Sequence, residues 1–366
     1  MGPRRGRRWR THVKTALAST ISRTHELGLA EALARGPERP LILGYHRIVE
    51  DFAGIARDEN PSQLTSCEMF ERHLDVVGQH FRFASLDEIG EHLATGEPFT
   101  ERVAAVTFDD GYRDNYELAF PILKRKGIPA AVFVVTDLVG QAHWQTHDKL
   151  YHLVTRAFAK WADPRRELAG LLNDLGLPAG HLLRNRLATS TPLMTVSALL
   201  PDLSQTNVGR VMHALEAQVG NGCSRFPLSL TWPMVEEMHR AGVIIGSHTR
   251  THISLPAESV ETLVKELEGS KRAIEERTGT PVVHFAYPGG QFTPRDVAAL
   301  ERTGYRFGYT ACPHQDPQHP TLTIERLLLW EGSSVDGEGR FSPAILSCQI
   351  NDLWPPARTC ARVHRV

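Results

Sequence analysis

An almost wholly apolar run, residues 103–108, ends in two adjacent carboxylates and a glycine, Asp109-Asp110-Gly111. Delivering charge to the end of a buried strand is costly unless the charge meets a cation or faces an open cleft. Further apolar runs suited to strands occur at 41–46, 130–135, 243–246, 281–286 and 306–309, with a late one at 324–330. Between them lie segments with helical periodicity. Ser66 is placed to cap a helix carrying Met69, Phe70, Leu74 and Val77, and Ser85 to cap one with Glu88 three residues on. Residues 115–126 read as a helix that kinks or starts near Pro121. Residues 232–241, 258–277 and 294–303 read as further helices. Alternation of this kind predicts an α/β fold with a mainly parallel sheet and crossover helices.

Residues 139–228 break the rhythm. They read as helices over 149–161, 164–175, 181–187 and 208–219, and so as a helical insertion. The expected organisation is a basic tail and N-terminal helix over 1–39, and a first barrel segment over 40–138. The insertion follows over 139–228, then a second barrel segment over 229–335 and a C-terminal tail over 336–366.

A second chemical run, Ser247-His248-Thr249-Arg250-Thr251-His252, also follows an apolar strand. Two histidines four apart face one point if the segment is a helical turn. One carboxylate and two imidazoles suit a zinc-like ion with an open coordination position. The predicted metal ligands are therefore Asp110, His248 and His252, with Asp109 free to act as a base. Ligands in open parallel sheets gather at the carboxyl ends of strands, where both runs fall.

The formal net charge of −1 argues against broad nucleic-acid binding, which relies on phosphate neutralisation. Five arginines within the first ten residues are expected to allow a weak membrane-surface contact. The cysteines at 67, 223, 312, 348 and 360 are odd in number and scattered, as for reduced thiols. A cytoplasmic, membrane-peripheral location is the corresponding expectation.

Thr107-Phe108-Asp109-Asp110-Gly111 and Ser247–His252 resemble the first two motifs of polysaccharide deacetylases of the NodB-homology type, carbohydrate esterase family 4. The resemblance covers residues 40–138 and 229–330, flanking the insertion. It implies an irregular (β/α) barrel, a divalent metal that is commonly zinc, and hydrolysis of an N-acetyl group from an amino sugar in a polysaccharide or glycoconjugate. By the same resemblance Asp109 is the general base, and Asp110, His248 and His252 hold the metal. The family's third motif carries an arginine and a tyrosine where this chain has Ala286 and Gly289. Arg326 is the candidate replacement for the arginine, and a backbone N–H near Gly289 is the candidate oxyanion donor. His314 and His319 are the candidates for the general acid. His46 and Tyr287 are expected in the substrate cleft. Two alternatives stay open: a deacylase of another small amide or of a lipid- or nucleotide-linked sugar, and a non-catalytic carbohydrate- or partner-binding module.

Overall fold

The computed structural model describes residues 39–177, 191–220 and 228–353, together with Thr20. The expected N-terminal tail and helix, and the helix expected over 181–187, lie outside or almost outside these residues.

Strands β1 (Leu41–Tyr45), β2 (Arg47–Val49), β3 (Leu64–Ser66), β4 (Arg82–Phe83), β5 (Val103–Phe108) and β6 (Ala130–Val134) form the first segment. The second contains β7 (Ile244–Ser247), β8 (His284–Ala286), β9 (Phe307–Thr310), β10 (Ile324–Glu325) and β11 (Leu327–Leu328). The main sheet has the order β10-β9-β8-β7-β6-β5-β1-β11, with β4 also on β5, while β2 and β3 pair separately. Its pairings are parallel. All six residues of β5 are buried, as a strand covered on both faces requires.

The late strand expected over 324–330 is divided at Arg326. Ile324 pairs with Tyr309 on one edge of the sheet, whereas Leu327 pairs with Leu43 on the other. One residue thus carries the chain across the seam, and the sheet closes nearly into a barrel.

Strand alternation sorts the side chains into two layers. Leu41, Leu43, Val106, Phe108, Val132 and Val134 pack with helix residues in an outer core. Those helices include α1 (Cys67–Gly78); α1 and α2 (Leu86–Thr95) are capped by the Ser66 and Ser85 hydroxyls as anticipated. Ile42, Ala105, Ala131, Phe133, Ala286 and Tyr309 form a separate inner cluster with Leu86 and Ile89 of α2. Asp87 of α2 reaches His284 at the start of β8, so α2 covers the amino ends of the strands. The carboxyl ends are left for chemistry.

After β5 comes a π-helical turn, Asn115–Ala119, and then α3 (Phe120–Lys126), with Pro121 inside its first turn where no N–H is required. The insertion contributes α4 (Thr146–Lys160), α5 (Pro164–Asp174), α6 (Pro192–Leu199) and α7 (Gln205–Val219). Leu150, Leu153, Leu168, Leu172, Val211 and Leu215 give it a hydrophobic core of its own. Helices α8 (Trp232–Arg240), α9 (Val260–Thr278) and α10 (Pro294–Arg302) return to the barrel. The segment expected as a tail contains α11 (Pro343–Ile350), whose Leu346 and Ile350 are buried in the outer core. Its apolar residues find that groove only in three dimensions, which is why linear periodicity left it out.

Candidate metal-dependent active site

Asp109 follows β5 directly and continues the inward parity of Ala105 and Thr107. Its N–H donates to the Tyr45 carbonyl at 2.9 Å, fixing the chain at the strand end. From the seam, Arg326 donates both guanidinium branches to the Asp109 carboxylate at 2.7 Å each, and one branch also to Thr107 Oγ1 at 3.2 Å. Both partners are only 3% exposed, and the guanidinium lies 5.4 Å from the centre of the Phe133 ring. Burial alone would raise the Asp109 carboxyl. Arg326 and His248 outweigh it and hold the group down at about 2. Asp109 is therefore ionised across the neutral range.

Asp110 adopts φ 72° and Gly111 φ 66°. Left-handed backbone at a non-glycine residue is strained, and here the strain turns Asp110 away from Asp109. Asp110 is 2% exposed, yet neither carboxylate oxygen has a hydrogen-bond partner among the described residues. Burial, with Asp109 and Asp148 nearby, pushes its pKa well up. A buried carboxylate with two unpaired oxygens calls for a cation.

Imidazoles surround it. His248 Nε2 and His252 Nε2 stand 3.5 and 3.3 Å from Asp110 Oδ1, and His147 Nε2 stands 3.5 Å from Oδ2. Two donors that share a zinc-sized ion at tetrahedral angles are separated by roughly 3.4 Å. Asp110, His147 and His252 form a cluster whose candidate ligand atoms lie within 4.8 Å of one another. Burial lowers the pKa of all three histidines, that of His147 to about 3, so they present neutral nitrogen donors. His248 Nδ1 is 2.8 Å from the Ala286 carbonyl, a bond that fixes the ring and leaves Nε2 for a metal. The residues present therefore fit a divalent ion.

The expectation of a helical turn at 248–252 is corrected. The segment is a loop, with Thr249 at φ 66° and His252 at φ 60°, values that a right-handed helix excludes. Glu266 of α9 holds it by accepting the N–H groups of Arg250 and Thr251 at 2.8 and 2.9 Å and the Thr251 hydroxyl at 2.8 Å. The His252 N–H closes the loop on Thr249 Oγ1 at 2.9 Å. Three of the four described non-glycine residues with positive φ, Asp110, Thr249 and His252, thus belong to the two motif loops.

His46 follows β1 at the same end of the barrel. Burial lowers its pKa to about 4 despite the Asp109 charge. Gly289 is exposed at φ 64° after β8, and a Cβ there would meet open space. His314 lies on the loop leaving β9 at this end, with its ring 6.3 Å from Phe292. His319 is not brought to the site. It lies 3.5 Å from Glu301 near the end of α10 and 3.5 Å from Asp316, just before the segment that feeds β10 at the amino end of the sheet. Tyr287 also departs from expectation: it is fully buried among core rings and donates its hydroxyl to the Leu322 carbonyl at 3.0 Å. Its side chain falls in the outer layer with Phe285, turned away from the cleft.

The sequence reading missed His147 and its neighbours. Gln145 Nε2 donates to the Asp110 carbonyl at 2.9 Å, and the Tyr112 hydroxyl donates to Asp148 Oδ2 at 2.7 Å. No spacing motif marks these residues. The only available signal was a polar cluster, Gln145 to Asp148, at the start of an amphipathic helix.

The family model for polysaccharide deacetylases matches residues 96–158 and 191–308. YxkH of Bacillus subtilis, named as a candidate polysaccharide deacetylase, is 20% identical over 245 residues, 67% of this chain and 57% of that protein. The poly-beta-1,6-N-acetyl-D-glucosamine N-deacetylase of Staphylococcus aureus strain MSSA476 is 30% identical over 120 residues, 30% of this chain and 40% of that one. The chain thus spans less than two thirds of the length of either relative. Among solved structures, the Streptococcus pyogenes deacetylase PplD, solved with acetate, has a TM-score of 0.53 at 18% identity, covering 83% of this chain and 97% of that one. IcaB from Ammonifex degensii has a TM-score of 0.50 at 18% identity, covering 86% and 97% respectively. Likeness at these identities speaks for the fold.

Proposed function

Because this chain belongs to the polysaccharide deacetylase family through the domain it carries, we propose that it hydrolyses an N-acetyl group from an amino sugar in a polysaccharide or glycoconjugate. One observation carries the proposal: the buried, unpartnered Asp110 carboxylate ringed by imidazoles lies beside a second carboxylate kept ionised by Arg326. Asp110, His248 and His252 are the residues assigned to hold the ion. When bound, a divalent metal supplies Lewis acidity toward a carbonyl oxygen and makes water more acidic at neutral pH. Zinc is our choice because the donors are nitrogen and carboxylate oxygen.

Asp109 accepts the proton of the attacking water, and Arg326 fixes its orientation and charge. The Gly289 N–H is assigned to the oxyanion that develops on the acetyl carbon's oxygen. The leaving nitrogen needs a proton from a histidine at this end of the barrel. His46 is held neutral by burial, which leaves His314 as the acid. The products are acetate and a free amine. A cytoplasmic location, with the arginine-rich N-terminus at a membrane surface, accompanies this reading. It is supported by the free thiol at Cys67.

The test is acetate release from N-acetylhexosamine oligomers and from nucleotide- and lipid-linked N-acetyl sugars, before and after chelation and zinc return. Release that chelator abolishes and zinc restores is expected. Purified protein that binds no divalent ion and releases no acetate from any of these substrates would overturn the proposal.

A further inference from the structure

We propose that His147, in the first turn of the insertion's helix α4, is a further protein ligand of the divalent ion, so that the insertion docks onto the barrel through the metal. This deepens the metal-dependent reading above and rests on it. His248 and His252 approach Asp110 Oδ1, whereas His147 alone of the three lies against Oδ2, at 3.5 Å. Its ring centroid is 4.7 Å from that of His252. His147 is 6% exposed, and the Asp110 oxygen it faces has no hydrogen-bond partner among the described residues.

Two other groups approach the ring: Asp148 Oδ1, 3.7 Å from His147 Nε2, and the Tyr112 hydroxyl, 2.9 Å from the same nitrogen. That hydroxyl donates its proton to Asp148 Oδ2 at 2.7 Å, so in the metal-free protein the imidazole meets it as an Nε2–H donor. Ligation through Nε2 moves that proton to Nδ1, which has no hydrogen-bond partner among the described residues, and turns the ring from the phenol to the ion. The Asp110 carboxylate does need a cation. Gln145 ties the same turn to the Asp110 carbonyl at 2.9 Å, which fixes the imidazole's position relative to the carboxylate. Deeper in the insertion, Gln205 Nε2 donates to Thr251 O, next to His252, at 3.0 Å. Both loops that supply ligands are therefore clasped by the insertion.

Cobalt(II) binding to the full chain tests the assignment, with affinity read by chelator competition. His147→Ala is expected to weaken cobalt binding at least about tenfold. His147→Cys is expected to give its cobalt complex a near-ultraviolet thiolate-to-cobalt absorption that the parent complex lacks. This second variant replaces one donor by another, so it remains informative if the alanine variant does not fold. Unchanged cobalt affinity in His147→Ala, or a folded His147→Cys complex without the thiolate band, would overturn the proposal. His252→Ala is measured in parallel. Loss of cobalt there, with none in His147→Ala, defeats the role of His147 alone, whereas a parent protein that takes up no cobalt defeats the metal-dependent reading beneath it.

Discussion

The barrel and the insertion build their parts of the same site by different means. Barrel residues sit one step beyond hydrogen-bonded strands, so Asp109 and His248 inherit positions set by sheet register. Their supports are equally firm: Arg326 on Asp109, Ala286 on His248, Glu266 on the loop before His252. The insertion has a separate apolar core and meets the site mainly through polar contacts from Gln145, Asp148 and Gln205. Chemistry borne on a sheet is thus fixed by the fold, whereas chemistry borne on the insertion depends on docking.

The largest effect is expected from the barrel's base. Asp109→Asn keeps the shape and loses the proton acceptor, so kcat should fall by about 10²–10⁴-fold. Metal content, measured by elemental analysis, should stay at the parent value. Next comes Arg326→Met, which strands a buried carboxylate. Unfolding in urea should show a loss of about 3–5 kcal/mol.

The pH dependence of that variant has a defined sign. In the parent, the depressed Asp109 pKa contributes stability that is full above the unfolded value of about 3.9. It is lost as pH falls through about 2. Without Arg326, burial is less opposed and the pKa rises, so the acid limb of kcat/KM should move to higher pH. A limb that stays in place would remove Asp109 from the role of base.

Leu153→Ala tests the other side of the comparison. Leu153 is fully buried in the insertion core, and its truncation should cost about 2–5 kcal/mol there. Hydrogen exchange should quicken in α4 and α7 while β5 and β6 keep their protection. Equal loosening of the barrel would show that the two cores unfold as one. The smallest effect is expected from Glu266→Gln, which keeps one acceptor but removes the charge that gathers two N–H groups and a hydroxyl. A loss of about 1–3 kcal/mol and weaker metal retention are expected.

Much of the barrel half was legible because its signals are local. The apolar run before Asp109 announced a doubly covered strand, and His248 and His252 announced a shared target. Arg326 was legible only through the family resemblance, as the replacement for the missing arginine; its reach to Asp109 depends on the strand crossing the seam. The left-handed turns at Thr249 and His252 were hidden because Glu266, which holds their loop, is remote in sequence. Tyr287 was misplaced because a tyrosine beside a glycine-rich turn does not reveal which layer it enters. His147 was invisible for a related reason: helical periodicity describes the face α4 packs on, and says nothing of where its first turn docks.

The division of the last strand at Arg326 has one further consequence. The same residue donates its backbone N–H to the Thr310 carbonyl at 2.8 Å and its guanidinium to Asp109, so the latch of the cylinder is also the clamp on the proton acceptor. A breathing motion that parts β10 from β9 or β11 from β1 would loosen that grip while the remaining pairs hold. Turnover should then fail at milder heat or denaturant than global unfolding requires, and the enzyme should go silent before it melts.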